Sequence, residues 1–319
     1  QHALNAPVTF VGLSATLEDA PLFFAALTGI DPNRITLVEP RTEDMVEEAA
    51  EYQLILRGDP AARTSLLSTT IQTLMLLGRL MDPAAGALSQ GRIGQRLFAF
   101  TDDLDIINRL FDNFRDAEGY DLFGQPHHAP LAELRAAQAD PLLPLRQLDG
   151  QRWRLCEWLG RPLTTRLAVS RTTSQDRGVN RDADVIVASA ALEVGFNDPR
   201  VGAVVQHKAP RDWASFLQRK GRAGRTRSMR PWTVTVLSDY GRDRLTYQSY
   251  EQLFDPSLPP QVLPIRNPYL LRMQAAMALL DWLTQGLPAG ASGNAWHHLA
   301  SPEGAARNTA FISHTIKRL

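Results

Sequence analysis

The chain has 319 residues, 44% of them hydrophobic, and its 34 basic and 34 acidic side chains give a formal net charge of zero. That length suits about two domains with buried cores, and no apolar run approaches the roughly 18 residues needed to cross a bilayer. The single cysteine, Cys156, excludes an internal disulfide, a zinc ribbon and a cysteine-ligated iron–sulfur cluster. The expectation is a cytoplasmic protein with no membrane contact and no resident metal.

The sequence opens "QHALNAPVTFVGLSAT", without methionine and already running into a strand-like segment, so it is expected to be a fragment whose N-terminal half lies outside it. In chain order, short apolar runs predict strands at 8–13, 96–101, 166–170, 184–189, 202–207 and 232–238. They are continuous rather than alternating, the pattern of strands buried on both faces of a parallel sheet. Helical periodicity falls between them. Leu66, Leu67, Leu74, Leu77 and Leu80 repeat through 61–81. In 102–118, Ile106, Ile107, Leu110, Phe111 and Phe114 share one side, with Asp102 or Asp103 placed as cap. Strands alternating with helices imply an open α/β sheet, with ligands expected beyond the carboxyl ends of the strands. The proline-rich stretch 121–163 breaks the rhythm and reads as an insertion carrying one or two short helices. Past residue 250, "DPSLPPQVLP" reads as a linker, and "NPYLLRMQAAMALLDWL" as an amphipathic helix with Met273 and Met277 as core filler.

Charge is distributed unevenly along the chain. Residues 1–60 hold ten acids against three arginines, whereas residues 206–230 hold six arginines and two lysines against one acid. Such a basic block suits nucleic acid or phosphate, or else a solvated face. Within it, "QRKGRAGR" places Gln218, Gly221, Arg222, Gly224 and Arg225 in fixed spacing. Arg222 and Arg225 are three apart, so a helical turn would aim both guanidiniums one way. Arginine suits a multi-oxygen anion because its planar fork donates in pairs and stays charged.

Two further stretches stand where strands end. "GLSAT" sets Ser14 and Thr16 after an apolar run, a pattern that by itself more often caps a helix. "VASAALEVGFNDPRV" leads through Ser189 to Gly195, which permits close backbone approach to a ligand, and then to Asn197. Other candidates are weaker. His127 and His128 are adjacent, so in extended chain they diverge and suit no metal. Cys156, among Trp153, Leu155, Trp158 and Leu159, reads as an interior thiol on a packed helix. Those tryptophans, interleaved with arginines, could also stack on bases, but packing is the better reading.

Taken in order, these stretches resemble the C-terminal half of a superfamily 2 helicase. "GLSAT" is similar to motif III, "RLFAFTDDLDIINRL" loosely to motif IV, "VASAALEVGFND" to motif V and "QRKGRAGR" to motif VI, and the resemblance covers about residues 7–240. It implies a RecA-like open parallel sheet covered by helices. Residues 1–35 would be the trailing edge of a first RecA-like domain, 36–250 the second with its insertion at 121–163, and 251–319 a helical appendix.

The resemblance also implies roles. Arg222 and Arg225 would be arginine fingers reaching the γ-phosphate of ATP, with Gln218 beside that phosphate. Gly195, Asn197 and Gly221 would shape the nucleotide side, Asn197 standing where many relatives carry a ribose-facing aspartate. Ser14 and Thr16 would couple hydrolysis to domain movement, and Ser189, Ser170, Arg171, Thr172 and Thr173 would touch the nucleic-acid backbone. Leu104 stands where motif IV often has an arginine, so that contact is not expected.

The sequence contains no G-x-x-x-x-G-K-[ST] loop and no D-E-x-[DH] motif, so ATP and Mg2+ would be held mainly by the missing half. This polypeptide alone is therefore expected to be inactive. "ALEVGFND" with "QHKAPRDWASFLQRKGRAGR" looks closer to large bacterial DNA helicases than to the DEAD-box group, and loosely resembles DISARM-type phage-defence helicases. DNA rather than RNA, the N-terminal half and subunits of a larger complex are the partners implied. The rival expectation is a helicase-like scaffold or nucleic-acid-binding module without catalysis.

Overall fold

The computed structural model describes residues 9–14, 17, 19–46, 50–58, 65–83, 89–136, 152–159, 161–173, 178–189, 192, 196–255, 266–284 and 317. They fall into two compact units, one within Gln1–Leu13, Asp19–Leu37 and Pro260–Leu319, the other within Ser14–Glu18 and Val38–Pro259.

The second unit is built on six strands: β1 (Tyr52–Arg57), β2 (Arg96–Phe100), β3 (Val169–Thr172), β4 (Val185–Ala188), β5 (Val201–His207) and β6 (Trp232–Leu237). Every pairing is parallel, in the order β1-β6-β5-β2-β4-β3. The apolar runs explain the central strands, since β2, β4 and β5 are buried along their whole length. The expected strand at 166–170 forms three residues later, because Leu167 and Ala168 are drawn into side-chain clamps. Their amides donate to Glu118 and Asp184.

One sheet face packs on α2 (Leu66–Leu80), α3 (Leu104–Ala117) and α4 (Arg154–Leu159). Leu74, Leu110 and Phe114 meet Leu97, Ala99, Val187, Val205 and Val236 there. Ser65 caps α2 through the Ser68 amide and Asp103 caps α3 through the Asp105 amide, satisfying donors that a helix start leaves open. The opposite face buries Phe98, Phe100, Ile186, Val201 and Val204 against Leu192 and Ala223. α5 (Trp213–Lys220) and α6 (Gly241–Gln248) follow β5 and β6.

Beneath α2, Arg79 and Glu118 are both fully buried and meet in two parallel bonds of 2.8 Å. Arg79 also donates to the Met75 and Thr165 carbonyls, and Glu118 accepts from the Leu167 amide, so the pair joins α2, the end of α3 and the approach to β3. Nearby, burial pushes the Cys156 thiol up to about 11, which makes it an inert interior group, as expected. The other side chains of α4 depart from expectation: Leu155, Trp158 and Leu159 are exposed, because a helix of six residues has a single inward face. Trp153 is half-buried under the Arg135 guanidinium.

The first unit corrects three expectations. Residues 9–14 form no strand; Val11 and Leu13 are exposed, and among the described residues no neighbouring strand offers a ladder. Ser14 itself belongs to the second unit. α1 (Ala20–Thr28) ends at Gly29. α7 (Pro268–Thr284) forms where a helix was predicted, but it is not amphipathic, because Arg272 lies on one side and Gln274 and Asp281 on the other. Met273 and Met277 are exposed, as are Tyr269, Leu271 and Leu279, so neither methionine fills a core.

Two stability predictions follow from the second unit. Glu118→Ala leaves the Arg79 guanidinium buried without its carboxylate and is expected to cost about 3–5 kcal/mol in urea or thermal unfolding. His207, at the end of β5, is buried and bonded through Nδ1 to Thr70 Oγ1 at 2.7 Å. Burial first, then the Lys208 charge, lowers its pKa from 6.5 to about 4, against a smaller opposing pull from Asp243. Below pH 6.5 the unfolded chain binds a proton that the folded chain refuses. Stability from this group is thus complete above pH 6.5 and falls as pH drops towards 4, by about 3 kcal/mol. A His207→Gln variant should lack that part of the pH slope.

Candidate functional site

α5 ends at Lys220, with Gly221 as its C-cap at an ordinary φ of −66°. Two tight turns follow, Arg222 N to Arg219 O and Ala223 N to Lys220 O, after which the Gly224 amide bonds to Val201 O at 3.1 Å. The helix therefore does not run through 222–225, and the expected helical turn there is replaced by two tight turns. Gly224 sits at φ +74°, and a Cβ there would lie 2.7 Å from Pro231. Only glycine lets the chain leave the helix this close to the start of β6.

The three arginines of this motif have different fates. Arg219 is buried. It pairs with Asp102 just past β2, donates to Gln206 Oε1 at 2.9 Å, and lies over the Phe100 ring at 5.6 Å. Arg222 is half-buried and donates to the Gln218 carbonyl at 3.2 Å and the Phe196 carbonyl at 2.7 Å. Arg225 is exposed. Among the described residues neither Arg222 nor Arg225 meets a carboxylate. Burial first, and then the charge of Arg225, lowers the Arg222 pKa, so the two cations are close and unneutralised. An anion seated between them would relieve both the repulsion and the desolvation.

The bond to Phe196 O brings Arg222 against the segment before β5 that carries Asn197. Asn197 is exposed and lines a cavity of about 400 Å³ with Arg181, Asp182, Phe196, Asp198, Pro199 and Arg200. The adjacent acid is engaged elsewhere. Asp198 is buried and accepts from Arg96 and, at 3.0 Å, from Arg200. Burial alone would raise its pKa, but bonds to Arg200 and the charges of Arg96 and Arg200 hold it below the usual carboxylate range.

Arg222, Arg225, Asn197 and the Arg96–Asp198–Arg200 cluster surround the amino ends of β2, β5 and β6. The expectation that ligand groups gather beyond the carboxyl ends is thus corrected for Arg222, Arg225 and Asn197. A parallel sheet returns each helix antiparallel to its strand, so α5 starts at the carboxyl edge and delivers its last residues to the amino edge.

At the carboxyl edge, β3, β4 and β2 end level with one another. The Ser189 amide bonds to Thr172 O at 3.2 Å and the Thr101 amide to Ala188 O, which sets Thr173, Ser189 and Thr101 in a row. Thr172 is buried, and among the described residues its hydroxyl has no hydrogen-bond partner. Ser170 is half-buried one alternation earlier. Arg171 points the other way, to Asn108 Oδ1 at 2.7 Å and over the Phe111 ring of α3, so it does not join the row. Ser14 is exposed and Leu104 is exposed at the start of α3. Thr16 and Gly195 lie outside the described residues.

Sequence reasoning missed Arg219, Asp102 and the Arg96–Asp198–Arg200 cluster. One signal was present: Arg219 is three residues after Phe216, on the face α5 buries. Among the described residues no group of three or more His, Cys, Asp or Glu is arranged to hold a metal, and no helix is long and apolar enough to cross a membrane.

Fold and site together define a RecA-like α/β domain presenting an arginine pair from a glycine-bounded turn. The family described as "Helicase conserved C-terminal domain" matches residues 165–227, from the approach to β3 through the turn beyond α5. Over residues 165–227 the chain is therefore similar to that helicase C-terminal domain family. No curated protein matches it.

Similar solved structures include the DUF1998 helicase MrfA bound to DNA and AMPPNP, 15% identical, TM-score 0.45, covering 81% of this chain and 29% of that one. S. cerevisiae Dbp5 bound to RNA and ADP BeF3 is 15% identical, TM-score 0.42, over 78% of this chain and 50% of that one. The E. coli DEAD-box protein SrmB bound to regulator of ribonuclease activity A is 15% identical, TM-score 0.34, over 70% of this chain and 96% of that one. The chain spans about half the length of the Dbp5 chain.

The turn at Gly224 sets where Arg225 emerges. Gly224→Ala is expected to destabilise the second unit by about 1–3 kcal/mol, through left-handed strain and the Pro231 clash. Thermal unfolding beside an Ala223→Gly control, which adds freedom without the clash, checks this.

Proposed function

We propose that this chain is the C-terminal half of an ATP-dependent nucleic-acid translocase or helicase, to which it supplies the arginine fingers and part of the strand-binding surface. The observation that carries this reading is the close, unneutralised pair Arg222 and Arg225, one half-buried and one exposed, on a turn that glycine alone permits. The family match over 165–227 supports it. The domain division proposed is 1–35 as the edge of a first RecA-like domain, 36–250 as the second with its insertion at 121–163, and 251–319 as an appendix.

In this reading ATP with Mg2+ supplies the phosphoanhydride whose cleavage drives the cycle, and both are held mainly by the preceding half. The residues here fit the phosphate end: two forked cations with free donors suit a multi-oxygen anion. Arg222, braced by Phe196 O, holds its fork in place, and Arg225 is free to swing towards developing charge. Gln218 and Gly221 shape the turn that carries them, and Asn197 offers a neutral amide on the same edge. The Thr173–Ser189 row, with Ser170 beside it and Thr172 buried beneath, would offer donors to a nucleic-acid backbone at the opposite edge. Closure and release of the two halves would move those contacts along a strand, with Ser14 and Thr16 at the junction. The wording of motifs V and VI favours DNA as the strand and a multi-subunit antiviral assembly as the setting.

A second reading, a helicase-like scaffold without catalysis, draws support from one observation. Asn197 is uncharged and the adjacent Asp198 is consumed by Arg96 and Arg200, so neither of these two positions offers a free carboxylate.

The two readings separate on one measurement. In the protein that joins this chain to its phosphate-binding half, Arg225→Ala is expected to lower ATP turnover by about 10³–10⁵-fold with nucleotide binding and thermal stability retained. Turnover near wild type would remove the finger assignment, and absence of turnover in the wild type would favour the scaffold.

A further inference from the structure

Beyond the finger pair, the amino edge of the sheet carries a second set of arginines on two pinned turns. The first turn, 89–93, is closed by Arg92 N to Ser89 O, and the Ser89 hydroxyl is held by Asp82 and by the Ile93 amide. The second, 226–230, is closed by Met229 N to Thr226 O, and its Met229 side chain is buried. The two turns are joined directly, Arg230 N donating to Arg92 O at 2.7 Å.

They can meet only because the chain between them is stripped of side chains. A Cβ on Gly202 would sit 1.6 Å from Ile93 O, and one on Gly94 would sit 2.6 Å from Gly202 Cα. Arg92 and Arg230 are thus held side by side, both exposed, and among the described residues neither makes an ion pair. The Thr226 hydroxyl bonds to Pro199 O at 2.9 Å, which continues the rim towards Arg200. Of the acids on this edge, Glu51 is paired with Lys220 and Asp198 is buried between arginines; Asp182 alone stands exposed in the described rim.

We infer that Arg92 and Arg230 form a second nucleic-acid contact, which takes backbone phosphates at the amino edge, opposite the Thr173–Ser189 row. Charge complementarity selects the occupant. Exposed, unneutralised guanidiniums carried on pinned backbone turns match a regular array of phosphates, each arginine donating in pairs, and contact of this kind is blind to sequence. The proposal rests on the reading of this chain as part of a nucleic-acid-binding protein, and adds where a further stretch of strand lies.

The test uses fluorescence anisotropy of labelled single-stranded and duplex DNA across a salt series, on the protein that joins this chain to its phosphate-binding half. The double variant Arg92→Ala with Arg230→Ala should bind more weakly and flatten the slope of log affinity against log salt by about 2. The double lysine variant, Arg92→Lys with Arg230→Lys, should keep the wild-type slope. Thermal unfolding should be unchanged in both, since the bond joining the turns is between backbone atoms. A wild-type slope in the alanine variant, with binding intact, overturns the inference and leaves the helicase reading standing. A wild type that binds no nucleic acid overturns both. Polyglutamate bound as tightly as DNA would replace nucleic acid by an acidic protein as the occupant.

Discussion

Arg219 is committed to the interior, and the placement of every other charged group on the motif depends on that. It lies on the face of α5 that Phe216 buries, and its guanidinium reaches back along the helix, as side chains on a helix lean, to Asp102 and Gln206. A buried charge of this kind is tolerable only with its partners in place, so the pair fixes the rotation of α5. Once the helix is fixed, Gly221 and Gly224 turn the chain out at a defined point, and Arg222 and Arg225 follow on the solvent side. Three arginines that look equivalent in sequence are sorted into a strut, a braced donor and a free donor by where the helix stops.

The same strut spans the sheet. Asp102 sits just past β2 at the carboxyl edge, where it also accepts from the Arg211 amide, while the turn beyond Lys220 lies at the amino edge. One ion pair therefore links the edge that offers hydroxyls to the edge that offers guanidiniums. Movement of β2 relative to α5 would disturb both at once. Such mechanical continuity is what a protein needs if events at one edge are to be felt at the other, although coupling itself is a matter of energies rather than of proximity.

How much of this could be read from the chain divides along physical lines. The central strands were legible because burial on both faces demands unbroken apolar runs, as in Phe98–Phe100, Val185–Ala188 and Val201–His207. α3 was legible from its periodicity and its Asp103 cap. β1 escaped notice: Tyr52–Arg57 is an edge strand, half exposed, with a mixed pattern that no buried-strand signal fits. The strand expected at 8–13 failed for the converse reason, since an apolar run makes a strand only where a ladder is available. α7 was legible as a helix but not as to its surroundings, because apolar residues announce burial without saying against what.

Within the site, residue types were legible and their geometry was not. The spacing of Arg222 and Arg225 singled out the pair, but an uninterrupted helix was the wrong backbone for it, since the positive φ that ends the turn belongs to Gly224. The general tendency of parallel sheets to bind ligands at their carboxyl ends pointed to the wrong edge for the arginines, because α5 carries them back across the sheet. The partners of the buried Asp198 illustrate a further limit. Arg96 and Arg200 lie 102 and 2 residues away in sequence from the acid they share, and only the closed sheet brings the distant one within reach. What the sequence could state was that this region is rich in arginine. The fold decides which of those arginines are already satisfied by carboxylates, and so which remain to meet an anion from outside. On that division Arg96, Arg200 and Arg219 are structural, and the cationic surface left over at the amino edge includes, among the described residues, Arg92, Arg222, Arg225 and Arg230.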